Sequence, residues 1–268
     1  MPPGARVASL RSLAAPVACA VLLATGCGGG AARPSAASTA ARATTTSATA
    51  ATTAAGITTS SGPSTAIAPA TDEPAASTDA PAFVASVDAV TAADLPSSWR
   101  DGCPVGPEQL RRLTLSYWGF DDAPHTGTLI VAASVTDAVT SVFRSLFEQR
   151  FPIRQMQPVD AYGGSDDASI AADNTAGFNC RNAVANGPPQ WSQHAYGLAI
   201  DVDPVENPST LNGQVYPPTG APYLDRSDER PGMALDGGVL VRAFAAIGWG
   251  WGGHWSDVDY QHFSQNGR

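Results

Sequence analysis

The chain has 268 residues and carries 24 acidic side chains against 15 basic ones, all arginine, for a formal net charge of −9. With a pI of about 4.7, this balance argues against a nucleic-acid ligand and against binding an anionic lipid surface by charge. The length allows one ordinary domain of about 150–190 residues, with segments to spare.

The spare segments lie at the N-terminus. Arg6 and Arg11 precede an apolar run, Leu13 to Leu23, too short to cross a membrane as a mature helix and followed by small residues. Residues 1–26 therefore read as a secretory signal peptide. Ala24-Thr25-Gly26-Cys27 resembles a bacterial lipobox, which implies that Cys27 becomes lipidated; plain secretion is the alternative. From Cys27 to residue 82 the chain is Gly, then Ala, Thr, Ser and Pro, with few charges and few large apolar groups. Such a segment cannot bury enough surface to offset its ordering entropy, so it is expected to be a disordered tether reaching roughly 40 Å. The folded domain is expected over residues 83–268.

Cys19 leaves with the signal and Cys27 is the lipidation candidate, which leaves Cys103 and Cys180. An even pair in an exported protein reads as a disulfide, and this one would tie the start of the domain beside Arg181. Neither Cys sits in the Cys-Gly or Cys-Trp context of a cysteine nucleophile.

Within the domain, Pro107–Leu113 suggests a short helix and Gly127–Ala133 a strand. Thr136 can cap a helix from Asp137 to about Arg150 whose apolar positions, Val139, Val142, Phe143, Leu146 and Phe147, share one face. Arg154–Asp160 reads as another strand. Gly163–Asp167 reads as a solvated loop, because the alternating ligands of a calcium loop are missing. Leu198–Asp203 alternates like a short strand. Pro204–Pro231 carries turn signals rather than regular structure, and loops this long tend to be functional, so Tyr223, Asp225 and Arg226 are candidates for a substrate groove. Val239, Leu240, Ala243, Phe244 and Ile247 mark a second helix, stopped by Gly248. Two helices against several strands, joined by loops rather than βαβ repeats, give an α+β class.

Two stretches carry the chemistry. Ser192-Gln193-His194-Ala195-Tyr196-Gly197-Leu198-Ala199-Ile200-Asp201 offers an imidazole and, seven residues on, a carboxylate; Asp259-Tyr260-Gln261-His262 offers a carboxylate and another imidazole. Two His and one Asp can hold Zn²⁺ through three protein ligands and leave a fourth position for water, the arrangement of catalytic zinc. Asp259 is then free to act as a base on that water. Asp259 and His262 can share a site only if Asp259–Gln261 is a turn, since residues three apart in a strand face opposite ways. Asp203 is a candidate to orient a ligand His. In the Trp/Gly segment, Trp249, Trp251 and Trp255 either wall a pocket or fill the core. His254 as a fourth ligand would close the site, which favours an oxyanion helper or a surface His. His125 reads as a satisfied structural His.

These spacings resemble the D-alanyl-D-alanine carboxypeptidase family of zinc peptidases (VanY-like), whose relatives include phage L-alanyl-D-glutamate endolysins. The pattern Ser-x-His-x-x-Gly-x-Ala-x-Asp appears as Ser192, His194, Gly197, Ala199 and Asp201, and the closing Asp/Glu-x-x-His as Asp259 and His262. The likeness extends to Ala172–Arg181 and Gly248–Trp255, roughly the last 160 residues in all. It implies a small antiparallel sheet with flanking helices and a hedgehog/D,D-peptidase-like zinc site, with His194, Asp201 and His262 as ligands and Zn²⁺ as cofactor. It also implies Asp259 as general base, Arg181 as anchor for the polarised carbonyl oxygen, and Ser192, Trp251 and Tyr223 as substrate contacts. Asp rather than Glu as the base looks more like the endolysin branch, so D,D-carboxypeptidase and L-Ala-D-Glu endopeptidase both stay open. The expected setting is the bacterial cell envelope, with the chain a monomer on the outer face of the cytoplasmic membrane. It would touch that membrane only through its lipid anchor and act on peptidoglycan stem peptides. A non-catalytic zinc-bearing wall-binding or scaffold lipoprotein is the alternative.

Overall fold

The computed structural model describes residues 81–184 and 188–268. The expected signal peptide, Cys27 and nearly all of the tether lie outside the described residues. The architecture is α+β, as expected. The first sheet is antiparallel with the order β1 (Ala85–Ala89), β2 (Leu110–Trp118), β3 (Pro124–Ala132). Helix α1 (Thr136–Glu148) follows it and buries Val139, Val142, Phe143, Leu146 and Phe147, the stripe read from the sequence. The second antiparallel sheet has the order β4 (Ala199–Asp201), β8 (His262–Ser264), β7 (Gly250–Trp251). Helix α3 (Val239–Ala245) covers it, with Phe244 stacked on Phe263 at a ring-centroid distance of 4.2 Å. One continuous apolar cluster runs from Leu113, Leu115 and Phe143 to Ile200, Phe244 and Phe263, so both sheets share a core. No helix among the described residues is long and apolar enough to cross a membrane.

Backbone hydrogen bonds join the sheets where the chemistry is expected. Phe178 donates to the Ile130 carbonyl of β3 at 2.8 Å, while Ala176 exchanges both backbone bonds with Asp201 of β4 at 2.9 and 3.0 Å. Ala132 donates to the Gly197 carbonyl at 2.9 Å. Gly197 sits at φ +68°, and a Cβ there would come within 2.5 Å of the Ala132 nitrogen, so only glycine fits this corner. The Cys103–Cys180 disulfide is present, with a sequence separation of 77. Closing a loop of that length stabilises a fold by about 4 kcal/mol in the chain-entropy picture.

Several local expectations need correction. The helix expected at Pro107–Leu113 is a single 3₁₀ turn, Pro107–Gln109, leading into β2. Leu110 and Leu113, three apart, look helical in sequence; in the strand they face opposite ways, into two different clusters covering the two sides of the sheet. Thr136 is the first residue of α1 rather than its cap. Arg154–Asp160 forms no strand: Met156 makes an isolated bridge to Thr175, and Pro158 leads into a 3₁₀ turn, Val159–Tyr162. The loop expected at Gly163–Asp167 contains the start of α2 (Asp166–Ala171). Ser165 caps it by accepting from the Ala168 N–H, and two acids lie in its first turn, where the helix dipole favours them. Pro204–Pro231 is not irregular throughout: β5 (Ser209–Leu211) and β6 (Gln214–Tyr216) form a hairpin. Its two-residue turn is Asn212-Gly213, both at positive φ, as the right-handed twist of a hairpin requires.

Beneath that loop three acids, Asp173, Asp203 and Glu206, are buried together. Arg154 spans them, with Nη2 2.6 Å from Glu206 and Nε 3.4 Å from Asp173. Burial, then a hydrogen bond shared with Glu206, pushes the Asp173 carboxyl up to about 7 against the pull of the Val205 N–H. Burial likewise raises Asp203, reinforced by the charges of Asp173 and Glu206, although the Arg154 N–H opposes it. A carboxyl raised on folding adds stability that is complete below its unfolded value near 3.8 and is lost as pH rises through the folded value. Asp173→Asn keeps the position neutral at every pH. Its thermal midpoint should match wild type near pH 4 and exceed it by on the order of 5 °C at pH 8. Parallel midpoint-versus-pH curves for the two proteins would contradict this account.

Candidate functional site

Asp201 and His262 are directly paired across β4 and β8, so the pleat puts both side chains on one face. His194 reaches the same face from a 3₁₀ turn, Gln193–Tyr196, whose cap is Ser192: its buried hydroxyl accepts from the His194 N–H. Gly197 ends that turn in the left-handed region and delivers the chain into β4. Asp259 to His262 is a turn, closed by the His262 N–H on the Asp259 carbonyl at 3.3 Å, as the sequence required.

Three ligand atoms converge. His194 Nε2 lies 3.1 Å from Asp201 Oδ2, His262 Nδ1 lies 3.0 Å from Asp201 Oδ1, and the two ring nitrogens are 3.2 Å apart. Ligand distances of about 2.0–2.1 Å in a tetrahedral zinc site put ligand atoms about 3.3 Å from one another. The remaining ring nitrogens assign the tautomers. His194 Nδ1 is 2.6 Å from the Gly177 carbonyl, and His262 Nε2 is 3.3 Å from the main-chain oxygen of Arg268. A main-chain oxygen only accepts, so both outer nitrogens carry hydrogen and, when each ring is neutral, both inner ones present lone pairs. Two lone pairs and a carboxylate facing one another in a buried site demand a cation, a proton or a metal ion. The electrostatics agree. Burial alone would raise Asp201, yet His194 and His262 outweigh it and hold the carboxyl well below the usual carboxylate range. Burial would lower His262, but Asp201 and then Asp259 raise it above its ordinary value. The group fits a metal ion bound by His194, Asp201 and His262.

Asp259 stands beside this set. Its Oδ1 is buried with no hydrogen-bond partner. Burial raises the carboxyl to about 6, with Asp201 adding to the rise and the charges of His262, His194 and Arg181 opposing it. Arg181 forms an ion pair with Asp166 of α2 at 2.9 Å, and its Nε is buried without a partner. The disulfide fixes its neighbour, Cys180, whose carbonyl also accepts from Arg100 Nη1 at 2.6 Å.

The other expected residues divide. Asp203 does not orient a ligand His; it accepts from the Arg154 N–H at 2.8 Å in the buried acidic cluster, while backbone carbonyls perform that role. Trp249 and Trp251 belong to the core, Trp251 donating to the Tyr260 carbonyl at 2.8 Å, whereas Trp255 lies over His262 at a centroid distance of 5.3 Å. Tyr223 faces Arg230, and Asp225 braces its own turn through Ser227. Arg226 stacks on Tyr260 with its guanidinium 3.8 Å from the ring centroid. His254 is exposed, 3.6 Å from Asp236, which leaves it a surface His. His125 is bonded to Asp121, as a satisfied structural His should be. The Gly177 and Arg268 main-chain oxygens and Asp166 went unseen in the sequence. A main-chain oxygen has no letter of its own, and Asp166 read as one acid of a solvated loop.

A family model described as D-alanyl-D-alanine carboxypeptidase matches residues 186–265, a stretch containing all three ligand residues and Asp259. No curated protein and no solved structure matches the chain.

Gly177 tests the tautomer assignment. A Cβ there would meet the Ile130 carbonyl oxygen at 2.4 Å, so Gly177→Val must displace the carbonyl that holds His194. Chelator competition should find metal affinity reduced about 10–100-fold, the usual effect of losing such a partner; unchanged affinity would remove the Gly177 carbonyl from the site.

Proposed function

We propose, from the match of residues 186–265 to a family model described as D-alanyl-D-alanine carboxypeptidase, that the chain is a zinc peptidase hydrolysing peptidoglycan stem peptides. The observation that carries the reading is the convergence of two lone-pair nitrogens and a carboxylate within 3.2 Å of one another, beside a carboxylate that has no partner of its own. A binding-only module has no use for an unpartnered buried acid, whereas a hydrolase needs a base there.

His194, Asp201 and His262 would hold Zn²⁺, which would supply Lewis acidity toward the scissile carbonyl and lower the pKa of water toward about 7. The chain's own residues do the rest. Asp259, unpaired and held near 6, accepts the proton of the attacking water and passes it to the departing amine. Arg181 brings a positive charge whose field already reaches Asp259 and offers its unpartnered Nε to the oxygen that gains charge, a role worth on the order of 3 kcal/mol where comparable donors are removed. The scissile bond is either the terminal D-Ala–D-Ala or the L-Ala–D-Glu linkage of the stem.

Incubation of the purified chain with muropeptides should release fragments whose masses identify the bond, and a chelator should abolish release. Asp259→Asn should retain the metal and lose turnover by a factor of at least about 10², in line with the contribution of a positioned general base. Turnover at the wild-type rate in that variant would remove Asp259 from the mechanism.

The same proposal includes export and anchoring through a lipidated Cys27. A signal-like N-terminus and a Cys103–Cys180 disulfide, the kind of bond that persists outside the cytosol, support it. Radiolabelled palmitate should mark the wild-type chain and not Cys27→Ala; label surviving the substitution ends the anchoring idea.

A further inference from the structure

We propose that the segment Asn266–Arg268 is a positioning element for His262, and that Trp255 and Ser264 hold it in place. This rests on the metal-site reading above. The main-chain oxygen of Arg268 lies 3.3 Å from His262 Nε2 and also accepts from the Ser264 hydroxyl at 2.9 Å. One residue earlier, the Gly267 carbonyl accepts from the Trp255 indole N–H at 3.1 Å, and the Arg268 N–H is held by Asn266 Oδ1 at 3.0 Å. Gly250 of β7 lies so close beneath that a Cβ there would sit 2.5 Å from the Gly267 Cα, so the segment rests directly on the sheet carrying the ligands. The Trp255 ring in turn covers the His262 ring.

The consequence is chemical. An isolated neutral imidazole exchanges its proton between Nδ1 and Nε2, and only the form with hydrogen on Nε2 leaves the Nδ1 lone pair free for the ion. β8 fixes where the His262 backbone goes but not which ring nitrogen is protonated or how the ring is turned about χ2. A main-chain oxygen at Nε2 fixes both. For His194 the Gly177 carbonyl does the same from the opposite side of the site, so each ligand imidazole has a backbone acceptor behind it. These are residues of position, not of catalysis: Trp255 and Ser264 act only through the main-chain oxygens they hold.

The test compares the full chain with a chain ending at Gln265 and with the double variant Trp255→Phe/Ser264→Ala, which keeps a ring over His262 but removes both side-chain donors to the segment. Two readouts apply: zinc affinity by chelator competition, and the tautomer of His262 in metal-free protein by long-range ¹H–¹⁵N correlation, read at a pH above its raised transition, where the ring is neutral. Full-length protein should show the Nε2–H form. Both altered proteins should show a mixture of tautomers and bind zinc about 10–100-fold more weakly. Retention of the Nε2–H form and of full affinity in both would overturn the proposal. Should the shortened chain not fold, the double variant decides alone, with the same two outcomes. The tautomer readout needs neither metal nor turnover. A wild-type chain that proves inactive on muropeptides would therefore sink the peptidase reading while leaving this one standing.

Discussion

Everything at this site hangs on one antiparallel residue pair, Asp201 opposite His262 in β4 and β8. Each strand is only three residues long, too little to hold its register by hydrogen bonds alone. The register is enforced by what flanks it: Ile200 and Phe263, paired beside them and fully buried, belong to the core shared with α3. A slip of one residue would carry Phe263 toward the polar face and His262 into the hydrocarbon of Phe244. Burial of an aromatic ring thus sets the face on which an imidazole stands. The remaining ligand, His194, is placed by a different device, a capped turn ending in a left-handed glycine, where β3 lies too close for any side chain.

Two buried acidic groupings lie close in sequence and behave in opposite ways. Asp201 is stripped of water but faces two imidazoles, so it stays ionised. Asp203, two residues on, faces other carboxyls with one arginine among them, and its proton is favoured. The strand ends between them, and Asp203 takes a positive φ of 43°, which turns its side chain to the loop side. The metal-facing carboxylate and the loop-bracing carboxyl are therefore kept apart by a single backbone reversal. Such a separation lets the loop from Pro204 be fastened without adding negative charge beside Asp259.

Much of this was legible in the residues. The spacing of His194 and Asp201, the turn required between Asp259 and His262, the apolar stripe of α1 and the pairing of Cys103 with Cys180 all follow from periodicity, residue chemistry and cysteine counting. What was not legible falls into two kinds. Leu110 and Leu113 mislead because a sheet covered on both sides by separate clusters buries residues three apart, mimicking a helix. The partners of the ligand imidazoles were hidden because they are main-chain oxygens at Gly177 and Arg268, brought in by the tertiary fold. Asp203, the sequence's candidate for that duty, is instead turned to the Arg154 N–H in the acidic cluster. Asp166 escaped for the complementary reason: its partner, Arg181, is supplied by a segment that only the folded chain brings alongside.

The crowding of lone pairs around one point has a bearing on the life of the protein outside any reaction. Atoms that repel one another until a cation arrives make the native state a sink for that cation, and mass action then couples the folded population to free metal as RT ln(1 + [L]/Kd). Where the ion is scarce, more of the chain samples open forms that proteases can cut; where it is plentiful, the chain persists. The surroundings' trace-metal supply would then govern the molecule's lifetime.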